Sequence, residues 1–232
     1  MFLSVPWNLQ NLTELILSHF MEVEEMFSNC HTLTTLDLTS FYTSKVTDMS
    51  YMFSDCTDLK SINILSFDTS NVVNMSYMFS YNWRFTSLDL SNLNTQNVTD
   101  MRGMFYSCSK LSTLDLSPLD TSKVTNMSSM FSGCSGLTSL DLSTLNTFKV
   151  TTMEQMFNYC TKLTFVDLSS WDTSSVSNMK FMFYMCRELN RLKTGSKLKF
   201  VGYEYLTGTW INSNGEEFTT IPNNKADTYT RK

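Results

Sequence analysis

The residues of this 232-residue chain best suited to chemistry are six cysteines, two histidines and a file of aspartates. The cysteines stand at 30, 56, 108, 134, 160 and 186, separated by 26 residues or twice that, and Asn82 fills the one gap. A metal needs ligands that converge on it from several directions, whereas residues of one repeated column point the same way. The histidines, His19 and His31, form no column beside the sulfurs. Cys30 next to His31 suggests a thiol–imidazole pair, but adjacent residues in a bend point apart. There is no glycine-rich phosphate loop, metal-ligand cluster or nucleophile motif. No catalytic residue, metal or cofactor is therefore expected, and the chain does not read as an enzyme. Adjacent cysteines of such a file lie near enough for a disulfide, but parallel side-chain vectors fit its dihedral poorly. The expectation is a ladder of free, buried thiols acting as small hydrophobes.

The carboxylates are also periodic. Asp37, Asn63, Asp89, Asp115, Asp141 and Asp167 each sit between two apolar residues of an "LxL" unit, flanked by Ser and Thr. Unit charges about 5 Å apart repel by about 1 kcal/mol in water. Such a file is either a solvated face tied to its own hydroxyls or a surface that recruits cations, basic peptides or glycans. A second candidate surface is aromatic: Tyr51, Tyr77, Tyr106, Tyr159 and Tyr184 are placed outside the core, where they suit contact with another macromolecule.

These residues are positioned by a repeat. Met-Phe recurs at Met26, Met52, Met78, Met104, Met130, Met156 and Met182, and from Met49 onward a second methionine precedes it by three. "LxxLxL" recurs with the same period, as at Leu111, Leu114, Leu116 and Leu137, Leu140, Leu142. In each repeat the "LxL" alternation predicts a short strand. Val124, Met127, Phe131 and Cys134, at i, i+3, i+7 and i+10, predict a short helical turn on the opposite side. Thr43, Thr69, Thr95, Thr121, Thr147 and Thr173 are expected to cap that turn, and Asp48, Asn74, Asp100, Asn126 and Asn178 to act similarly. Ordering a residue costs at least about 1 kcal/mol, more than the apolar side chains of one repeat return, so repeats must stack to fold. The expected fold is α/β: a solenoid with one parallel β-sheet face, short helical turns opposite and a small C-terminal β cap.

The ends differ. Residues 1–32 retain Leu12, Leu15 and Leu17 but are five residues short, and read as a capping repeat. Residues 33–194 are the regular array, and residues 195–232, β-prone with a hairpin signal at Asn214-Gly215, read as a β cap. Charge is split: residues 1–186 carry nine basic and seventeen acidic side chains, residues 187–232 eight and five. The overall −5 argues against nucleic acid. With no apolar run of 18 residues, membrane insertion by this chain is not expected. "MFLSVPWNLQ" lacks the charged n-region and long apolar core of a signal peptide, and no anchor is apparent.

"LxxLxLxxF" resembles the leucine-rich-repeat consensus, and "LDLSxxDTSxVTNMSxMFSGCSxLTS" resembles the BspA-like repeats of bacterial surface proteins, over residues 9–194. The segment from Gly208 to Arg231 is similar to stretches that close such arrays. The resemblance implies a leucine-rich-repeat solenoid, an extracellular or cell-surface location, and a role in adhesion. The functional expectation is a monomeric, non-enzymatic module binding protein or glycan on a host or neighbouring cell. The alternative is a passive stalk that displays another domain.

Overall fold

The architecture follows from where alternate backbone amides go between Met127 and Cys134. The N–H groups of Met127, Ser129, Phe131 and Gly133 donate to the carbonyls of Thr152, Glu154, Met156 and Asn158 in the next repeat, at 2.7–3.1 Å. Those of Met130, Ser132 and Cys134 donate three residues back, to Met127, Ser129 and Phe131. Odd amides thus point forward along the stack while even amides close successive turns. The pattern recurs one period earlier: Met101, Gly103, Phe105 and Ser107 donate to Asn126, Ser128, Met130 and Ser132. A helix would have consumed all of these donors internally.

This corrects the expected α/β leucine-rich-repeat solenoid. A computed structural model describes residues 22–38 and 41–232, and among these there is no helix. The apolar spacing i, i+3, i+7, i+10 is delivered by consecutive turns in which every fourth residue has a positive φ. One such column is Glu25, Tyr51, Tyr77, Gly103, Ser129, Gln155 and Phe181, at 56–60°. The other, Asn29, Asp55, Tyr81, Ser107, Gly133, Tyr159 and Met185, lies at 58–78°. A left-handed residue costs roughly 1–2 kcal/mol when it is not glycine, so the inter-repeat bonds must outweigh that strain. At Gly103 the Tyr77 ring lies where a Cβ would stand, so a larger side chain there would have to displace that ring.

Nor is there a single parallel sheet. Regular strand is confined to two small sheets, and the rest is turn and irregular chain. β1 (Thr35–Asp37) pairs in parallel with β2 (Ser61–Asn63). β3 (Phe165–Leu168) pairs in parallel with β4 (Arg191–Thr194), and β7 (Asp227–Arg231) runs antiparallel to β4. β5 (Trp210–Ile211) joins β7 to β6 (Glu217–Phe218), and the β5–β6 connection has Gly215 at φ 81°. In the intervening repeats the leucine side carries isolated bonds, such as Ser112 N to Thr86 O at 3.1 Å. A turn follows each such extended run at once, Leu119 N to Leu116 O in a middle repeat and Trp171 N to Leu168 O behind β3 alike. The continuous ladder lies elsewhere, in single-residue parallel bridges linking Glu22, Asp48, Asn74, Asp100, Asn126, Thr152 and Asn178.

The polar columns bond between repeats and have no helix to cap. Thr43, Thr69, Thr95, Thr121 and Thr147 are buried, and each hydroxyl donates to a carbonyl 25 residues ahead at 2.9–3.0 Å. Asp and Asn alternate in the bridge column so that an amide meets a carboxylate: Asn74 Nδ2 donates to Asp48 Oδ2 at 2.9 Å. The last repeat bonds to the following segment, Met179 N to Val201 O and Phe181 N to Tyr203 O. Leu12, Leu15, Leu17 and His19, which fall within the expected opening cap, lie outside the described residues.

The core is built of columns. Val72, Val98, Val124 and Val150 are buried, as are the paired methionines from Met49 to Met182. Phe27, Phe53, Phe79, Phe105, Phe131, Phe157 and Phe183 form one continuous stack with centroids 5.7–6.0 Å apart and near-parallel planes. Each such pair is worth about 1 kcal/mol beyond its buried area.

The cysteines are free thiols, five of them buried, and they do more than fill space. Each buried thiol donates to a phenylalanine carbonyl of the preceding repeat: Cys56 to Phe27, Cys108 to Phe79, Cys134 to Phe105, Cys160 to Phe131 and Cys186 to Phe157, at 3.0–3.1 Å. Those carbonyls have no donor from the inter-repeat ladder, and the thiol supplies the bond that links the two repeats there. Asn82 fits the same column because its Nδ2 reaches Phe53 O at 2.7 Å and Phe79 O at 2.9 Å, although its Oδ1 is left buried without a partner. Burial pushes the Cys108 and Cys186 thiols up to about 12. Raised above the unfolded value near 9, their contribution to stability is whole below that pH and is lost as pH climbs through about 12. Half-buried Cys30 is the exception: its contact with the Cys56 thiol brings it down to about 7 against the effect of burial, and the same contact raises Cys56.

Two outcomes are expected. Asn82→Cys keeps a donor for the Phe53 carbonyl and removes the orphaned Oδ1, so it should stabilise by about 1 kcal/mol, measured as a raised urea midpoint; an unchanged or lowered midpoint would contradict it. In the native chain at neutral pH, iodoacetamide should alkylate Cys30 roughly tenfold or more faster than Cys108, Cys134 or Cys160, read by peptide mass spectrometry. Equal rates would contradict the assignment.

Candidate binding surfaces

The acidic column is present and its side chains are occupied locally. Asp89, Asp115, Asp141 and Asp167 each accept the amide of the serine two residues on, Ser91, Ser117, Ser143 and Ser169, at 2.9 Å. Asn63 Oδ1 does the same for Leu65 at 3.2 Å, and Asp37 ends β1. The Ser91 hydroxyl and amide hold Asp89 below the usual carboxylate range, and the Ser117 amide and hydroxyl do so for Asp115. At Asp141 the Ser143 hydroxyl and amide outweigh repulsion from Asp167. Asp167 is partly buried, which opposes ionisation, but Ser169 and Lys193 more than compensate; the Lys193 ammonium lies 3.0 Å away. Mutual repulsion along the file is thus the smaller effect. A shallow crevice of about 200 Å³ joins Asn63 to Asp89, floored by Ile62 and Ile64, where pairing of β2 with the next repeat fails. Among the described residues no group of three or more His, Cys, Asp or Glu could hold a metal ion.

The tyrosines fall into two clusters on the wall of turns. In one, Tyr51 stacks on Tyr77 at 4.8 Å, Tyr106 meets Tyr77 and Tyr81 edge-on at 6.0 and 5.1 Å, and the Arg102 guanidinium lies 5.6 Å from the Tyr77 ring. In the other, Tyr159 and Phe181 meet Tyr184 edge-on, and Tyr205 packs on Phe181 and Tyr184 at 5.2 and 4.8 Å. The repeat between them presents only Ser129, Ser132 and Gly133 at the corresponding positions. Sequence reasoning missed Tyr81 and Phe181, although each occupies a repeat column that already holds a tyrosine, Tyr159 for one and Tyr51 and Tyr77 for the other. Tyr205 lies beyond the period, so no column pointed to it.

Positive φ explains why these rings face outward. At Tyr51, Tyr77, Tyr81 and Tyr159 the left-handed backbone turns the Cβ away from the packed columns, so side-chain identity there is released from the core. Six residue types occupy the first positive-φ column at nearly the same angle. The wall is a rigid backbone frame that carries interchangeable side chains.

No match was found among curated proteins or among solved structures. No helix among the described residues is long and apolar enough to cross a membrane. A family profile described as "Mycoplasma protein of unknown function, DUF285" matches residues 21–117 and again residues 112–201. Its double match spans most of the chain, so the chain belongs to that family.

Proposed function

We propose that this chain is a non-enzymatic binding module of a cell surface that engages protein or glycan on a host or neighbouring cell through its wall of turns. The observation that carries this reading is the pair of partly exposed aromatic clusters held on a hydrogen-bonded backbone frame. Tyrosine offers a broad apolar ring with a polar tip at a low entropic cost, which suits recognition. A frame already fixed by inter-repeat bonds spends little further freedom on binding. The resemblance to BspA-like surface proteins supports the same location and role, and the separation of acidic repeats from a basic tail suits a partner that meets more than one kind of surface.

The acidic file favours the second reading, a passive spacer, for its own side of the molecule. Carboxylates that satisfy their own serine amides are what a solvated face without a partner requires.

The two readings separate by mutation. Tyr81→Ser, Tyr106→Ser and Tyr184→Ser introduce residues or small polar groups that the same columns already accommodate at Ser107, Ser54 and Ser132, so the fold is retained. Attachment of the triple variant to immobilised matrix proteins and to host cells should fall by about tenfold or more. Asp89→Ser, Asp115→Ser and Asp141→Ser should leave attachment unchanged. A spacer would show no attachment of its own in any variant or in the native chain; that result, or attachment unchanged by the tyrosine substitutions, would defeat the proposal.

A further inference from the structure

Where the last repeat meets the C-terminal strands, a cleft of about 360 Å³ opens between Tyr184, Met185 and Arg187 on one side and Tyr205, Thr207 and Arg231 on the other. That volume lies in the range of small-molecule sites, about 300–1,000 Å³. In a chain of net −5, two guanidinium groups line it and no carboxylate does. Four lysines of the C-terminal region are paired with acids: Lys193 with Asp167, Lys197 with Asp172, Lys225 with Glu216 and Lys232 with Glu217. Neither Arg187 nor Arg231 makes an ion pair among the described residues.

Arg231 is held in place. Its Nε and Nη2 donate to Thr207 O at 3.1 and 2.6 Å, and its guanidinium lies 5.3 Å from the Trp210 ring centre. Those contacts use one edge of the fork and neutralise none of its charge. Tyr184 and Tyr205 meet edge-on at 4.8 Å, and with Phe181 stacked on Tyr205 and Tyr203 edge-on to it at 4.2 Å the two phenols line the cleft at an angle to one another.

Resting on the binding reading above, we propose that this cleft binds a carboxylate-bearing sugar, its carboxylate on Arg187 and Arg231 and its ring against Tyr184 and Tyr205. A guanidinium fork recognises a carboxylate in two parallel hydrogen bonds. The tyrosine rings take the C–H face of a sugar while their hydroxyls and that of Thr207 serve its polar edge. An isolated phosphate would make no use of the aromatic walls, and a free carboxylic acid would leave them wet.

The test is calorimetric titration of the full chain with glucuronate and N-acetylneuraminate, with glucose, inorganic phosphate and an acetylated aspartyl amide as controls. At least one acidic sugar should bind in the millimolar range or tighter, while the controls bind at least about tenfold more weakly. Arg187→Gln alters an exposed side chain, so it should leave the thermal midpoint unchanged and weaken acidic-sugar binding by about tenfold or more. Absence of binding by both acidic sugars, equal binding by any control, or full affinity in Arg187→Gln would overturn the proposal. If the sugars fail while Tyr81→Ser, Tyr106→Ser and Tyr184→Ser still abolish cell attachment, the cleft assignment falls and the binding module stands.

Discussion

The rest of the structure depends on the carbonyl oxygen of each core phenylalanine. Because alternate amides of the Met-to-Cys segment leave for the next repeat, this carbonyl receives one donor from its own chain, Cys134 N for Phe131, and none from the neighbouring backbone. In a dry core the second lone pair gains from a further donor, and from Phe27 to Phe157 a side chain of the following repeat supplies it. A thiol one period later serves it, and so the sulfurs stand in file. The requirement extends outward. Forward-pointing amides demand a positive φ at every fourth residue, that φ sends a side chain to the surface, and the surface is free to carry tyrosine in one repeat and glycine in the next.

The period, the buried columns and the free thiols could be read from the letters because each is a matter of residue type recurring at a fixed distance. What could not be read was the sign of φ. Val124, Met127, Phe131 and Cys134 have the spacing of a helix face, and nothing in "NMSSMFSGC" separates a helix from successive turns except Gly133, with Gly103 the one further hint in the repeat before. Elsewhere Tyr, Asp, Gln, Phe and Met occupy left-handed positions that local propensity disfavours, and tertiary bonding overrides them. The leucine side misled in the opposite direction. "LDL" alternates like a strand, but Leu114, Asp115 and Leu116 donate no backbone bond to a neighbouring repeat, and regular pairing on that side is confined to β1 with β2 and β3 with β4.

The candidate surfaces show the same division. The acidic file was visible as a column, yet its role depended on hydrogen bonds to Ser91, Ser117 and Ser143 that only geometry reveals. The tyrosines were visible singly, and their gathering into two clusters was not, because Tyr205 enters from outside the period and Ser129, Ser132 and Gly133 clear the space between. The arginine-lined cleft belongs to neither the repeats nor the terminal strands alone. It exists because the segment after Leu198 takes the place of a further repeat, supplying carbonyls to Met179 and Phe181, before the chain turns back to set Arg231 beside them.

Residue-resolved hydrogen exchange tests the central claim most directly, because it reports which backbone bonds open last. If the wall of turns is the spine, the amides of Phe79, Phe105, Phe131 and Phe157, each bonded to the next repeat at 3.0 Å, will exchange slowest. Those of Leu114, Asp115 and Leu116, which make no backbone bond between repeats, will exchange at least about a hundredfold faster. Equal or greater protection at Leu114, Asp115 and Leu116 would move the spine to the leucine side and contradict the account.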